Sequence, residues 1–92
     1  MPRPRNSRKI LFDPDVTYFK PRGIPLRDLE EISLKPDECE ALRLTDFEGL
    51  DQSECSNKME ISQPTFHRTL LSARKKLSDA IINGKAVRIE KR

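Results

Sequence analysis

Ninety-two residues contain a single histidine, two cysteines, three glycines and five aromatic side chains. Each shortage closes off a chemistry. His67, Cys39 and Cys55 do not form a metal-ligand spacing, so no metal site is expected. Both cysteines fall on helical patterns that suit reduced core positions. There is no glycine-rich phosphate loop, no HExxH pattern and no paired nucleophile and base, so neither an enzyme nor a cofactor is expected. Nothing near His67 in sequence orients or activates it for catalysis. No apolar run is long enough to cross a bilayer, and the arginine-rich start is not followed by the apolar core of a signal peptide. A cytoplasmic, nucleoid-associated protein with no membrane partner is the expectation.

Charge, by contrast, is plentiful. Charged residues make up 36% of the chain and hydrophobic residues 35%, which bounds it to one domain with a modest core. The formal net charge is only +3, but its distribution is uneven. Residues 1–22 carry six basic and two acidic residues, residues 23–60 four and eleven, and residues 61–92 eight and two. A DNA backbone attracts the two ends and repels the middle.

The stretch from Asp51 to Lys76, DQSECSNKMEISQPTFHRTLLSARKK, predicts a short helix, a tight turn and a longer basic helix. Asp51 and Glu54 have capping-box spacing, and Leu50, Cys55 and Met59 supply an inward face. Ile61 plugs the turn. Ser62 caps the second helix, and Pro64 falls in its first turn, where a missing amide costs nothing. Phe66, Leu70, Ala73, Leu77 and Ile81 recur at three- and four-residue steps as one apolar stripe. Gln63, Thr65, His67, Arg68, Ser72, Lys75 and Lys76 occupy the other face. A helix with one buried stripe and a polar, cationic remainder fits a major groove.

This stretch resembles the region-four helix-turn-helix of sigma-70 factors. With PRPR, VTYFKP, DECEALRLTDFEGL, SARKKLSDAI and NGKAVRIE, nearly the whole chain resembles a small prokaryotic family of predicted DNA-binding proteins, domain of unknown function 134 or UPF0251. The resemblance implies a sigma-like helix-turn-helix fold and DNA binding. It also implies that the positions of Gln63, Pro64, His67 and Arg68 face the groove. Glu60 stands where such turns usually have glycine, and a positive φ there costs it about 1 kcal/mol.

The expected fold is therefore mainly α: a three-to-four-helix helix-turn-helix domain with an extended basic arm and short strands at both ends. Residues 1–23 form the arm, residues 24–84 the domain, with its helix pair at about 51–83, and residues 85–92 a basic tail or strand. The arm, with Arg3 and Arg5, either follows phosphates or the minor groove, or is a tail that only adds charge. Ile10–Phe12 and Val16–Phe19 are β-prone, and Ile10–Phe12 is expected to pair with Ala86–Ile89, within one chain or across a dimer. Leu26, Leu29 and Ile32 suit a short helix. Pro36 starts a scaffold helix whose Cys39, Ala41, Leu42 and Leu44 turn inward, while Glu38, Glu40 and Glu48 form a solvated acidic face.

For function, the expectation is a sequence-specific transcriptional regulator that binds double-stranded DNA, as a monomer or a homodimer. Gln63, Pro64, Thr65, His67 and Arg68 are candidates for base edges; Arg3, Arg5, Gln52, Ser53, Ser72, Lys75 and Lys76 are candidates for phosphates. Arg74 is the weakest phosphate candidate, because it can pair with the acidic scaffold instead. The competing reading is a protein-interaction module that binds RNA polymerase or another regulator.

Overall fold

A computed structural model describes residues 8–91. Its helices are α1 (Pro36–Leu42), which runs on as a π-helical turn (Arg43–Phe47), α2 (Gln52–Met59) and α3 (Gln63–Asn83). Its strands are β1 (Tyr18–Phe19), β2 (Glu31–Leu34) and β3 (Ala86–Ile89).

The helix pair forms as its residues dictate. Asp51 accepts the Glu54 amide at 2.8 Å and caps α2. Ser62 accepts the Thr65 amide at 3.2 Å and caps α3. Cys55, Met59, Phe66 and Leu70 close over Ala41 and Leu44, with Leu50 and Ile61 packed at the margin. Ile61 therefore plugs the turn as its position predicts. Gly84, at φ 65, ends α3 in the left-handed conformation that glycine adopts without steric penalty.

Glu60 ends α2 at φ 58, ψ 45. It is the one non-glycine residue with positive φ among the described residues. Relieving its Cβ clash should outweigh the extra freedom that glycine has when unfolded. Glu60→Gly is expected to raise unfolding stability by about 0.5–1 kcal/mol, measured by urea denaturation. An unchanged or lower midpoint would show that the Glu60 side chain contributes more than its strain removes.

The sheet closes the domain. Its order is β1-β3-β2, with β1 antiparallel and β2 parallel to β3. Parallel neighbours need a long crossover, and here the whole helical domain supplies it between Leu34 and Ala86. A second core, of Leu34, Cys39 and Ala73 with Leu77, Val87 and Ile89 against it, joins α1 and α3 to the sheet. Burial and the neighbouring carboxylates push the Cys39 thiol up to about 11, so it sits there as a neutral apolar group.

Four expectations are corrected. Ile10–Phe12 is not a strand, because the Leu11 and Phe12 amides donate to the Glu40 carboxylate at 3.1 and 3.2 Å. The partner of β3 on that side is Tyr18–Phe19. Leu26 to Ile32 is not a helix but a 3-10 turn at Leu26–Asp28 followed by β2, whose register with β3 holds Ile32 opposite Val87. Ile81 is 78% exposed, and Ala80 takes the inward position. At about 100° per residue, Ile81 lies about 60° from Phe66 and Ala80 about 40° to the other side, the side on which Thr69 is also buried. Finally, Glu38 and Glu40 are not a solvated face: they are 4% and 2% exposed.

Those two carboxylates knit the domain together. Glu38 accepts the Lys35 amide at 2.8 Å, the Ser72 hydroxyl at 2.5 Å and the Lys76 ammonium at 2.9 Å. Burial pushes its carboxyl up, and the Lys35 amide, Ser72 and Lys76 more than offset this, holding it below the ordinary glutamate value. Glu40 takes both arms of the Arg43 guanidinium at 2.9 and 3.1 Å. It too is held low against burial, by Arg43 and the Leu11 and Phe12 amides. Glu38 thus ties α1 to α3, and Glu40 ties the N-terminal segment to α1.

Candidate nucleic-acid interface

The first two turns of α3 present Gln63, Pro64, His67 and Arg68 to solvent, with Thr65 half-buried between them. Three local features fix this surface. The Ser62 cap starts the helix, and no acidic residue occupies its first turn, so the positive end of the helix dipole is unopposed. The Thr65 hydroxyl accepts from Ser62 at 2.9 Å and from the Arg68 guanidinium at 3.2 Å, which leans Arg68 toward the N-terminal end. Gln52, the first residue of α2, meets His67 Nδ1 through its Nε2 at 3.0 Å and bridges the two helices. If Gln52 donates, Nδ1 accepts and the outward Nε2 carries the proton, ready to donate to a base or a phosphate.

The structure brings His67 together with Gln52, and Gln52 and Ser53 are both exposed. It separates out three of the proposed cations and hydroxyls. Ser72 and Lys76 turn inward to Glu38, and Lys76 also donates to the Ser33 carbonyl at 2.8 Å. Both side chains, expected on phosphates, thus bond to Glu38 within the fold, with Ser72 exposed and Lys76 half-buried. Arg74 makes a two-armed pair with Asp46 at 2.6 and 3.1 Å, the alternative its position allowed. Lys75 is exposed and has no ion pair among the described residues. Arg3 and Arg5 lie outside the described residues.

Charge pairing also trims the field that the sequence suggests. Arg74, Lys76, Lys85, Arg88 and Lys91 each meet a carboxylate of another part of the chain. The basic C-terminal third is largely spent against the acidic middle, and the free cations near the start of α3 are few. Sequence reading missed the Glu38 hub and the Gln52–His67 bridge. The spacing of Glu38 behind Lys35-Pro36 signalled the first as a helix cap; nothing local signals the second.

Among the described residues, no group of three or more histidine, cysteine, aspartate or glutamate side chains is placed to hold a metal ion. No described helix is long and apolar enough to cross a membrane.

A short helix, a left-handed turn and a long helix, held by a scaffold helix and a three-stranded sheet, make this a small helix-turn-helix domain. The chain belongs to the DUF134 family, described as proteins of unknown function, whose model matches residues 1–91. It is 56% identical over 90 residues to a UPF0251 protein of Caldanaerobacter subterraneus subsp. tengcongensis, covering 98% of this chain and 76% of that one. A UPF0251 protein of Moorella thermoacetica is also 56% identical over 90 residues, covering 98% and 60%. A third, from Halothermothrix orenii, is 52% identical, covering 98% and 67%. The chain thus spans between 60% and 76% of the length of these relatives. No solved structure matches it.

Proposed function

We propose that this domain is a sequence-specific DNA-binding protein that regulates transcription, with the N-terminal turns of α3 in the major groove. The observation that carries the reading is the cluster of Gln63, His67 and Arg68, exposed on one end of a capped helix with no acid in its first turn. Gln63 has the donor and acceptor pair that matches adenine, and Arg68 the fork that matches guanine. Gln52 and Ser53, exposed at the start of α2, would take the adjoining phosphates, and so would Lys75, exposed two turns beyond Arg68 on α3.

Because so many cations are internally paired, few counterions are released, and the salt dependence of binding should be shallow. Lys75→Ala is expected to weaken all duplex sequences alike and to lower the slope of log K against log salt by about 1. Fluorescence anisotropy of labelled duplexes over a salt series measures both. A slope that does not change on losing Lys75, or no duplex binding at any salt, would contradict the docking.

A further inference from the structure

Two exposed side chains, fifteen residues apart in sequence, meet across the helix pair: Gln52 Nε2 lies 3.0 Å from His67 Nδ1. Gln52 is the first residue of α2, whose start is fixed by the Asp51 cap. His67 stands four residues after Gln63 on α3, so these two share a face. Cys55 and Met59 of α2 share one core with Phe66 and Leu70 of α3, which fixes the two helices against each other beneath the bridge.

The atom that faces Nδ1 decides where the ring keeps its proton. An amide nitrogen donates and does not accept. Nδ1 therefore accepts, and the single proton of a neutral imidazole then sits on Nε2. With Nδ1 engaged and the residue exposed, Nε2–H is the edge left for a ligand. In the other tautomer Nε2 is a bare lone pair. The two tautomers read different bases. A donor matches guanine N7 and O6 or thymine O4 in the major groove, whereas a lone pair matches the amino groups of cytosine and adenine. The Gln52 amide has a second proton, which remains for a phosphate, so bridge and backbone contact are compatible.

We propose that Gln52 is a positioning residue for base readout: it holds His67 as the Nε2–H tautomer, and His67 thereby selects a guanine or thymine edge beside the base that Gln63 reads. Base selection rests on α3 docking in the groove. The tautomer does not, and is measured without DNA.

Nitrogen chemical shifts of the imidazole, recorded on the free protein in alkaline buffer, should place the proton on Nε2 in the wild type. Gln52→Glu should move it to Nδ1, because a carboxylate only accepts. Duplexes varied one base pair at a time then test selection. His67→Ala should lower the preference for one guanine or thymine by about two- to tenfold, the range for a single hydrogen bond. Gln52→Ala should lower it at the same base pair, and the double variant should lose no more there than His67→Ala alone. In alkaline buffer Gln52→Glu should turn the preference at that pair toward cytosine or adenine. A wild-type proton on Nδ1, or a tautomer indifferent to Gln52→Glu, would overturn the positioning whatever the duplexes show. Losses that add, or that fall equally on every duplex, would leave Gln52 as a phosphate contact alone and overturn it too. A wild type that binds no duplex would overturn groove docking and base selection together, and is told apart from the other failures because it is seen before any substitution.

Discussion

Glu38→Ala is expected to remove about 3–5 kcal/mol of unfolding stability, the range for breaking one partner of a buried ion pair. For a domain of this size, whose whole margin is about 5–15 kcal/mol, that is a large share. The reason lies in what the carboxylate leaves behind. The Lys76 ammonium, the Ser72 hydroxyl and the Lys35 amide all lose their acceptor together. A half-buried ammonium without a counter-charge is the most expensive of the three. Urea denaturation of the variant gives the loss. Lys76→Met on the Glu38→Ala background should recover part of it, because an apolar stem replaces the stranded charge. A loss under about 1 kcal/mol would show that water satisfies these groups and that α1 and α3 need no such tie.

The same carboxylates set the response to acid. Glu38 and Glu40 both titrate below the ordinary glutamate value in the folded chain. Their contribution is therefore fully present above about pH 4.3 and is lost as pH falls through the folded values. Acid weakening should accordingly be shallower in the Glu38→Ala variant.

Gln63→Ala combined with Arg68→Ala is expected to remove about 2–6 kcal/mol of preference for the preferred duplex over a random one, taking about 1–3 kcal/mol per bidentate contact. Both side chains are exposed, so the melting temperature should stay near that of the wild type. Non-specific affinity should fall less, since Lys75, Gln52 and Ser53 remain. Equal loss on all sequences would reassign Arg68 to a phosphate. No loss on any would remove the N-terminal turns of α3 from the interface.

The helix pair was readable from the chain because its signals are local. Asp51 and Ser62 announce two helix starts, Asn83-Gly84 an end, and Phe66, Leu70 and Ala73 a buried face within about two turns. The sheet was not readable in the same way. Glu31–Leu34 becomes a strand only because Ala86–Ile89 returns beside it after the whole helical domain, and no window of the sequence contains both. The acidic middle was misread for a related reason. Charge on a helix normally faces solvent, and burial of Glu38 and Glu40 depends on Lys76, Arg43 and the Leu11 and Phe12 amides arriving from elsewhere in the fold. The candidate site divides along the same line. Gln63, His67 and Arg68 are exposed as helical phase predicts, whereas Ser72 and Lys76 lie on the other flank of the apolar stripe and bond to Glu38, a partner that the phase cannot reveal.

Selection of bound sequences from a random duplex pool, run side by side for the wild type and the Gln63, Arg68 double variant, tests the reading of α3 most directly. The wild type should enrich one short motif, and the double variant, folded to the same degree, should lose it. A wild-type pool that stays random, above all if the same protein is retained on RNA polymerase, would contradict a groove-reading helix.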